Sequence, residues 1–239
     1  MIQTKKVTIC ACVSRSFIDK EKVAEIAASL QSAGYAVTIL PDLCRKMMEA
    51  SDDLPEIASS LIFACHPRAV RSHLHRLNQV ADTIFDIRNN SCADVLSQLP
   101  IQSCNSAEQA CEKESFQKEI EAFPLENGTD AWYPVIDKER CTECGKCMDF
   151  CLFGVYTLES GHVKVVKPEN CKNNCPACAR ICPSRAIIFP KYDKSPINGG
   201  LVEEEHFAPD QMDTMYRERL KYKLQQRREG VSLLKNDKS

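Results

Sequence analysis

Apolar residues in the first hundred positions fall into two alternating kinds of run. Short strand-like runs at 7–13, 36–40, 61–65 and 83–87 are separated by stretches in which apolar residues recur every three or four positions. In the stretch 20–33, Val23, Ile26, Ala27 and Leu30 share one helical face. Gly34 follows, suited to the left-handed conformation that ends a helix. Further helical patterns occupy 43–50, 68–80 and 92–99. Strand and helix in alternation predict an α/β domain over residues 1–103, a small parallel sheet covered by helices.

The pattern then changes. Residues 104–131 are polar and charged, with a helix expected near 107–122 and a turn at Asn127-Gly128, and read as a linker. Residues 132–192 form a cysteine-rich domain. Residues 193–239 open with a turn-rich segment and continue into a helix over 209–228. Met212, Met215, Tyr216, Leu220 and Leu224 make an apolar stripe along that helix. From Met212 to Ser239 eight basic residues face four acidic ones, a local charge of +4. The helix is expected either to pack on its own protein or to serve as a docking arm for a partner.

Composition is ordinary except in one respect. Of 239 residues, 44% are hydrophobic and 27% charged, which excludes collagen-like, low-complexity and disordered polyanionic chains. The net charge of −2 gives no basic field for nucleic acid. No apolar run is long enough for a transmembrane helix. The opening residues read as a first strand instead of a signal peptide, so a cytoplasmic protein is expected.

The exception is 15 cysteines, eight of them between Cys141 and Cys182. In a reducing compartment such density points to metal or redox chemistry. The runs are Cys141-x2-Cys144-x2-Cys147-x3-Cys151 and Cys171-x3-Cys175-x2-Cys178-x3-Cys182, the second followed by Pro183. Three closely spaced thiolates wrap one side of an iron–sulfur cube, and the fourth reaches the other cube. The expected ligand sets are therefore crossed: Cys141, Cys144, Cys147 and Cys182 for one [4Fe–4S] cluster, and Cys171, Cys175, Cys178 and Cys151 for the other. The alternative is two four-cysteine zinc sites, although zinc ribbons space their C-x2-C pairs more widely.

These residues resemble the bacterial-type ferredoxins with two [4Fe–4S] clusters, an α+β fold. The resemblance extends to Val135-Ile136-Asp137 as an opening strand, the hairpin 156–166 around Ser160-Gly161, and Ala186-Ile187-Ile188 as a closing strand. Leu152 stands where that family usually has proline, and Lys172-Asn173-Asn174 is one residue longer than its usual gap. Phe150, Phe153, Val155, Ile181 and Ile187 are expected to fill the core.

Cys10, Cys12, Cys44, Cys65 and Cys92 all fall near the carboxyl ends of the expected strands, where parallel sheets place ligand sites. Taken singly, each could be a small buried apolar side chain. Cys10-Ala11-Cys12, Asp42-Leu43-Cys44, Phe63-Ala64-Cys65-His66-Pro67-Arg68 and the segment ending at Cys92 resemble the N-terminal domain of the flavin-bearing subunit of heterodisulfide reductase. That resemblance implies a third [4Fe–4S] cluster held by Cys10, Cys12, Cys44 and Cys65, with Cys92 as substitute, and a flavin-containing redox partner. It departs at Val13-Ser14-Arg15, where glycine is usual. The flavin domain is missing too: no G-x-G-x-x-G or Walker A run occurs.

Weaker features complete the reading. His66 is expected at the surface, with cluster tuning as the alternative. Arg68, Arg71, His73, His75 and Arg76 form a basic patch, solvated or facing an acidic partner. Trp132 and Tyr133 are expected to anchor the ferredoxin unit to its neighbour. Cys104 and Cys111 are expected to take no part. The sequence thus points to an iron–sulfur protein relaying single electrons as subunit or partner of a flavin- or heterodisulfide-reductase-type oxidoreductase. The alternatives are a disulfide or thiol reductase working at the N-terminal cysteines and an iron–sulfur redox sensor.

Overall fold

The computed structural model describes residues 5–101, 106–124, 130–202 and 209–231. The Asn127-Gly128 turn, Cys104 and the Met212 side chain lie outside the described residues. The chain begins with β1 (Lys6–Cys10), α1 (Lys20–Ser32), β2 (Ala36–Leu40), α2 (Leu43–Glu49), α3 (Leu54–Ser59), β3 (Leu61–Ala64), α4 (Pro67–Arg76), β4 (Ile84–Asp86) and α5 (Cys92–Leu96). The strands make one parallel sheet in the order β2-β1-β3-β4, with Val7 opposite Val37 on one side and Leu61 on the other. Ile9, Ile62 and Phe63 of the sheet are fully buried with Val23, Ile26 and Leu30 of α1 and Leu74 of α4. Asp19 starts α1 by accepting the backbone N–H groups of Glu21 and Lys22.

Two elements go beyond the sequence pattern. α3 was not expected: it is six residues long, too short for helical periodicity to register, and it starts at Leu54-Pro55. α6 (Ser106–Ala122) is the helix expected near 107–122, but it lies along α1 and buries Ile120 in the same core instead of serving only as a linker.

The second half is α+β. β5 (Val135–Ile136) pairs antiparallel with β8 (Ile187–Ile188), and β6 (Tyr156–Glu159) with β7 (His162–Val165). Between them lie two five-residue helices, α7 (Lys146–Phe150) and α8 (Ala177–Ile181), packed on each other. Val155 and Ile181 are buried as expected, but Phe153 is exposed and Phe150 only half-buried.

α9 (Pro209–Val231) packs against α8. Lys146 pairs with Asp213 at 2.7 Å and stands over the Tyr216 ring, and Arg219 donates to the carbonyls of Cys182 and Pro183. Leu224 of the expected stripe is exposed. Among the described residues no helix is long and apolar enough to cross a membrane.

Candidate metal centres

Backbone conformation folds the first cysteine run into a loop. Glu143 and Gly145 both take left-handed φ values, +53° and +70°, and α7 begins immediately afterwards. Cys147 therefore lies on the first turn of α7, and Cys151 caps its end. Cys178 and Cys182 hold the equivalent places on α8. One cavity is lined by Cys141, Cys144, Cys147 and Cys182, and a second by Cys171, Cys175, Cys178 and Cys151. The fourth cysteine of each run stands in the cavity of the other.

Electrostatics follows the same grouping. Burial, reinforced by Cys182, Cys141 and Cys144, pushes the Cys147 thiol up to about 12. Burial together with Cys175 and Cys151 does the same for Cys171, also to about 12. Cys178 is raised by burial although the Tyr156 hydroxyl donates to its sulfur at 3.1 Å. The backbone N–H of Ala186 donates to Cys182 Sγ at 3.4 Å.

The fourteen described cysteines form no disulfide. Among the described residues, no three His, Cys, Asp or Glu side chains stand close enough to hold a single metal ion. The thiols ring a space instead of meeting at a point. Four soft sulfur donors around a cavity suit a multi-iron cluster better than zinc.

A third ring lies at the carboxyl edge of the parallel sheet, at the switch point between β1 and β3. Cys10 ends β1, Cys44 opens α2 and Cys65 follows β3. With Cys12 they line one cavity, closed from the other half of the chain by Pro190 and Lys191. Cys12 holds φ +50°, uncommon for a side-chain-bearing residue, and Leu43 N–H donates to Cys10 Sγ at 3.3 Å. Burial pushes Cys65 up to about 12 and raises Cys10 and Cys44 as well. Lys191 Nζ reaches Asp42 at 2.5 Å and Ser14 at 2.6 Å, and lies 3.8 Å from Cys12 Sγ.

Cys92, the expected substitute, is not brought to this cavity. It opens α5 with its sulfur 3.9 Å from the Lys22 carbonyl, because the turn after β4 carries it towards α1. Cys111 is exposed on α6. His66 is buried instead of superficial, bonded to Asn89 at 3.0 Å and 3.3 Å from Asp86. Burial works against the Asp86 carboxylate, but hydrogen bonds from His66 and Asn89 outweigh it and hold it at about 2.

The expected basic patch also divides. Arg71 and His75 face solvent, whereas Arg68, His73 and Arg76 turn inward. Arg68 pairs with Asp137 at 2.5 Å and donates to the carbonyls of Arg185 and Pro196. Tyr133 donates to the Cys44 carbonyl at 3.0 Å and bonds His73 Nδ1 at 2.9 Å. Burial and Arg76 hold His73 neutral, down at about 3. Arg15 pairs with Asp130, stands over the Trp132 ring and donates to Asn174 Oδ1 at 2.6 Å. Asn174 belongs to the three-residue gap of the second run and takes φ +59°, so the lengthened loop contacts the N-terminal half.

These contacts set the three rings side by side. Tyr156 feels Cys178 and Cys151 of the second ring and Cys147 of the first. Cys44 and Cys65 of the third ring and Cys171 of the second adjoin one apolar cluster containing Ala69, Ala131, Tyr133, Val135 and Ile188. Sequence reasoning found the twelve ring cysteines but missed Lys191, Arg15 and Asp42 as site residues. Asp42 and Arg15 lie in segments compared with the heterodisulfide reductase subunit, but the roles of all three come from contacts between the two halves that no local spacing shows.

Two family descriptions, each a 4Fe-4S binding domain, match residues 134–155 and 168–192. The chain is similar to an uncharacterized ferredoxin of Methanocaldococcus jannaschii, 51% identical over 61 residues, covering 25% of this chain and 42% of that one. A second uncharacterized ferredoxin of that organism is 39% identical over 58 residues, 23% of this chain and 74% of its own. The pyruvate synthase subunit PorD of the same organism is 32% identical over 74 residues, 29% of this chain and 84% of its own. The chain thus spans less than half the length of the first of these relatives. No solved structure matches it.

Proposed function

The chain belongs to the 4Fe-4S ferredoxin family through residues 134–192, and from that premise we propose that it works as an electron-relay subunit or partner of a larger oxidoreductase. Its two [4Fe–4S] clusters supply one-electron chemistry and ask for no general acid or base. We assign Cys141, Cys144, Cys147 and Cys182 to one cluster and Cys171, Cys175, Cys178 and Cys151 to the other, the grouping in which these side chains line the two cavities. We assign Cys10, Cys12, Cys44 and Cys65 to a third.

The observation that carries the reading is the succession of three four-thiol cavities joined through Tyr156 and the Tyr133 cluster. Tyr133 fixes the third ring to the second by holding the Cys44 carbonyl from the ferredoxin side. Val155, Ile181 and Ile187 exclude water around the first two rings. At the rim of the second ring, Leu152 is 91% exposed with Phe153 beside it, an apolar lip where a redox partner can dock.

The partner class is drawn from two likenesses. PorD is named as a subunit of pyruvate synthase, and the N-terminal residues resemble the flavin-bearing subunit of heterodisulfide reductase. We therefore infer an oxidoreductase partner, flavin-containing on the second likeness. Burial of Cys10, Cys12 and Cys44 favours relay over direct attack on a soluble disulfide.

The test is iron and labile-sulfide analysis with low-temperature EPR after anaerobic purification. About twelve irons are expected, and about eight would remove the third cluster. Cys182→Ser is expected to disturb the cluster of the first run and Cys151→Ser that of the second. Disturbance of each cysteine's own run would overturn the crossed assignment, and zinc without sulfide would overturn the whole reading.

A further inference from the structure

Among the described residues Lys191 is the only buried lysine, 2% exposed. It belongs to the ferredoxin half, just after β8, yet its ammonium lies in the N-terminal cavity beside Cys12, held by Asp42 and Ser14. Its field also reaches Cys44 and Cys10. A buried ammonium is costly to desolvate and persists only where negative charge answers it. Asp42 is a single carboxylate, and four thiolates holding a cluster would add negative charge on the same side of the ammonium.

An iron–sulfur cube with four thiolates carries a net charge of about −2 oxidised and about −3 reduced, and nearby charge is one of the factors that set its potential. The lysines at the two ferredoxin cavities are different. Lys146 is 20% exposed and already paired with Asp213, and Lys172 is exposed to water, which screens it. Among the described residues the other cations at the first ring are less enclosed than Lys191: Lys138, whose field reaches Cys141, has 40% of its side chain exposed, and Arg219, on the Cys182 carbonyl, is half-buried.

We propose that Lys191 is the charge-compensating residue of the N-terminal cluster site, supplied across the joint by the ferredoxin half, and that it holds this site's potential above the value its own half would give. The inference rests on the reading of Cys10, Cys12, Cys44 and Cys65 as a third cluster site. Lys191 is a positioning residue: it acts on the thiolates through its charge and binds no iron. Asp42 has the opposite sign and opposes it.

The experiment is a potentiometric EPR titration with dithionite of the full chain and of Lys191→Met, Lys191→Arg and Asp42→Asn, with iron counted in each. The N-terminal signal is identified as the one abolished by Cys65→Ser. Lys191→Met is expected to move that midpoint down and leave the two ferredoxin midpoints in place. Lys191→Arg is expected to restore it. Asp42→Asn is expected to move it up, since asparagine still caps α2.

An unmoved N-terminal midpoint in both neutralised variants overturns the proposal, as does a shift of both in the same direction. If Lys191→Met loses the third cluster while keeping the other two, Asp42→Asn decides: a rise supports the proposal and no rise overturns it. About eight irons in the unaltered chain would overturn the third-cluster reading and this inference together. Twelve irons with unmoved midpoints would sink this inference alone.

Discussion

A phenol 3.1 Å from the Cys178 sulfur has one proton to give, and burial keeps Tyr156 in the neutral form that can give it. A hydrogen bond to a ligand thiolate stabilises the reduced, more negative cluster and so raises its potential. Tyr156→Phe removes the donor and little else. A net hydrogen-bond worth of roughly 1 kcal/mol corresponds to about 40 mV for one electron. The midpoint of the second cluster is therefore expected to fall by about that amount in a redox titration, with the first unchanged. At this scale the sequence was legible where chemistry repeats at short spacing. In the two ferredoxin rings the cysteines declare themselves because three of each four lie close together in one run. Those of the third ring come from three separate segments and stand out only by their place at the carboxyl edge of the expected sheet. Lys191 and Asp42 do not, being 149 residues apart and meeting only because two separate cores dock.

Among the elements, α4 carries the joint. Its Ala69 meets the turn at Gly199, which holds φ +97° with its missing Cβ directed at the helix: an added methyl would lie 2.7 Å from Ala69 Cβ and 3.2 Å from its Cα. Gly199→Ala therefore strains the turn and pushes it off α4, at a cost of about 1–3 kcal/mol. In thermal unfolding this is expected as a lowering of several degrees, and an unchanged midpoint would show that the turn yields freely. The four parallel strands, α1, α2, α4 and the ferredoxin hairpin were legible from apolar periodicity and turn residues. α3 was too short for any period to show. The inward turn of Arg68, His73 and Arg76 was hidden because a polar face looks the same whether water or a second half covers it.

For the whole molecule, pH acts through the thiols. Cys65, Cys147 and Cys171 are held at about 12 and Cys141 at about 11, above the ordinary 9.0. A buried thiol raised in this way stabilises the cluster-free fold below pH 9, and that support is lost as pH rises from 9 towards 12. Iron loading has the opposite sign, since every ligand must first release its proton. Cluster reconstitution is thus expected to weaken as pH is lowered from 8 to 6, by roughly tenfold per unit for each thiol deprotonated. Iron content after anaerobic reconstitution across that range checks it, and a flat profile would contradict the buried-thiol picture.

The Arg68 fork has a consequence for how such a molecule can arise. One guanidinium from the first half engages Asp137, Arg185 and Pro196 of the second, while Arg15 grips Asp130 and Asn174 from another direction. Contacts of this kind select a partner as well as hold one. The peptide connecting the halves is then a tether between two pieces that already fit, and the same joint could form between the products of two genes.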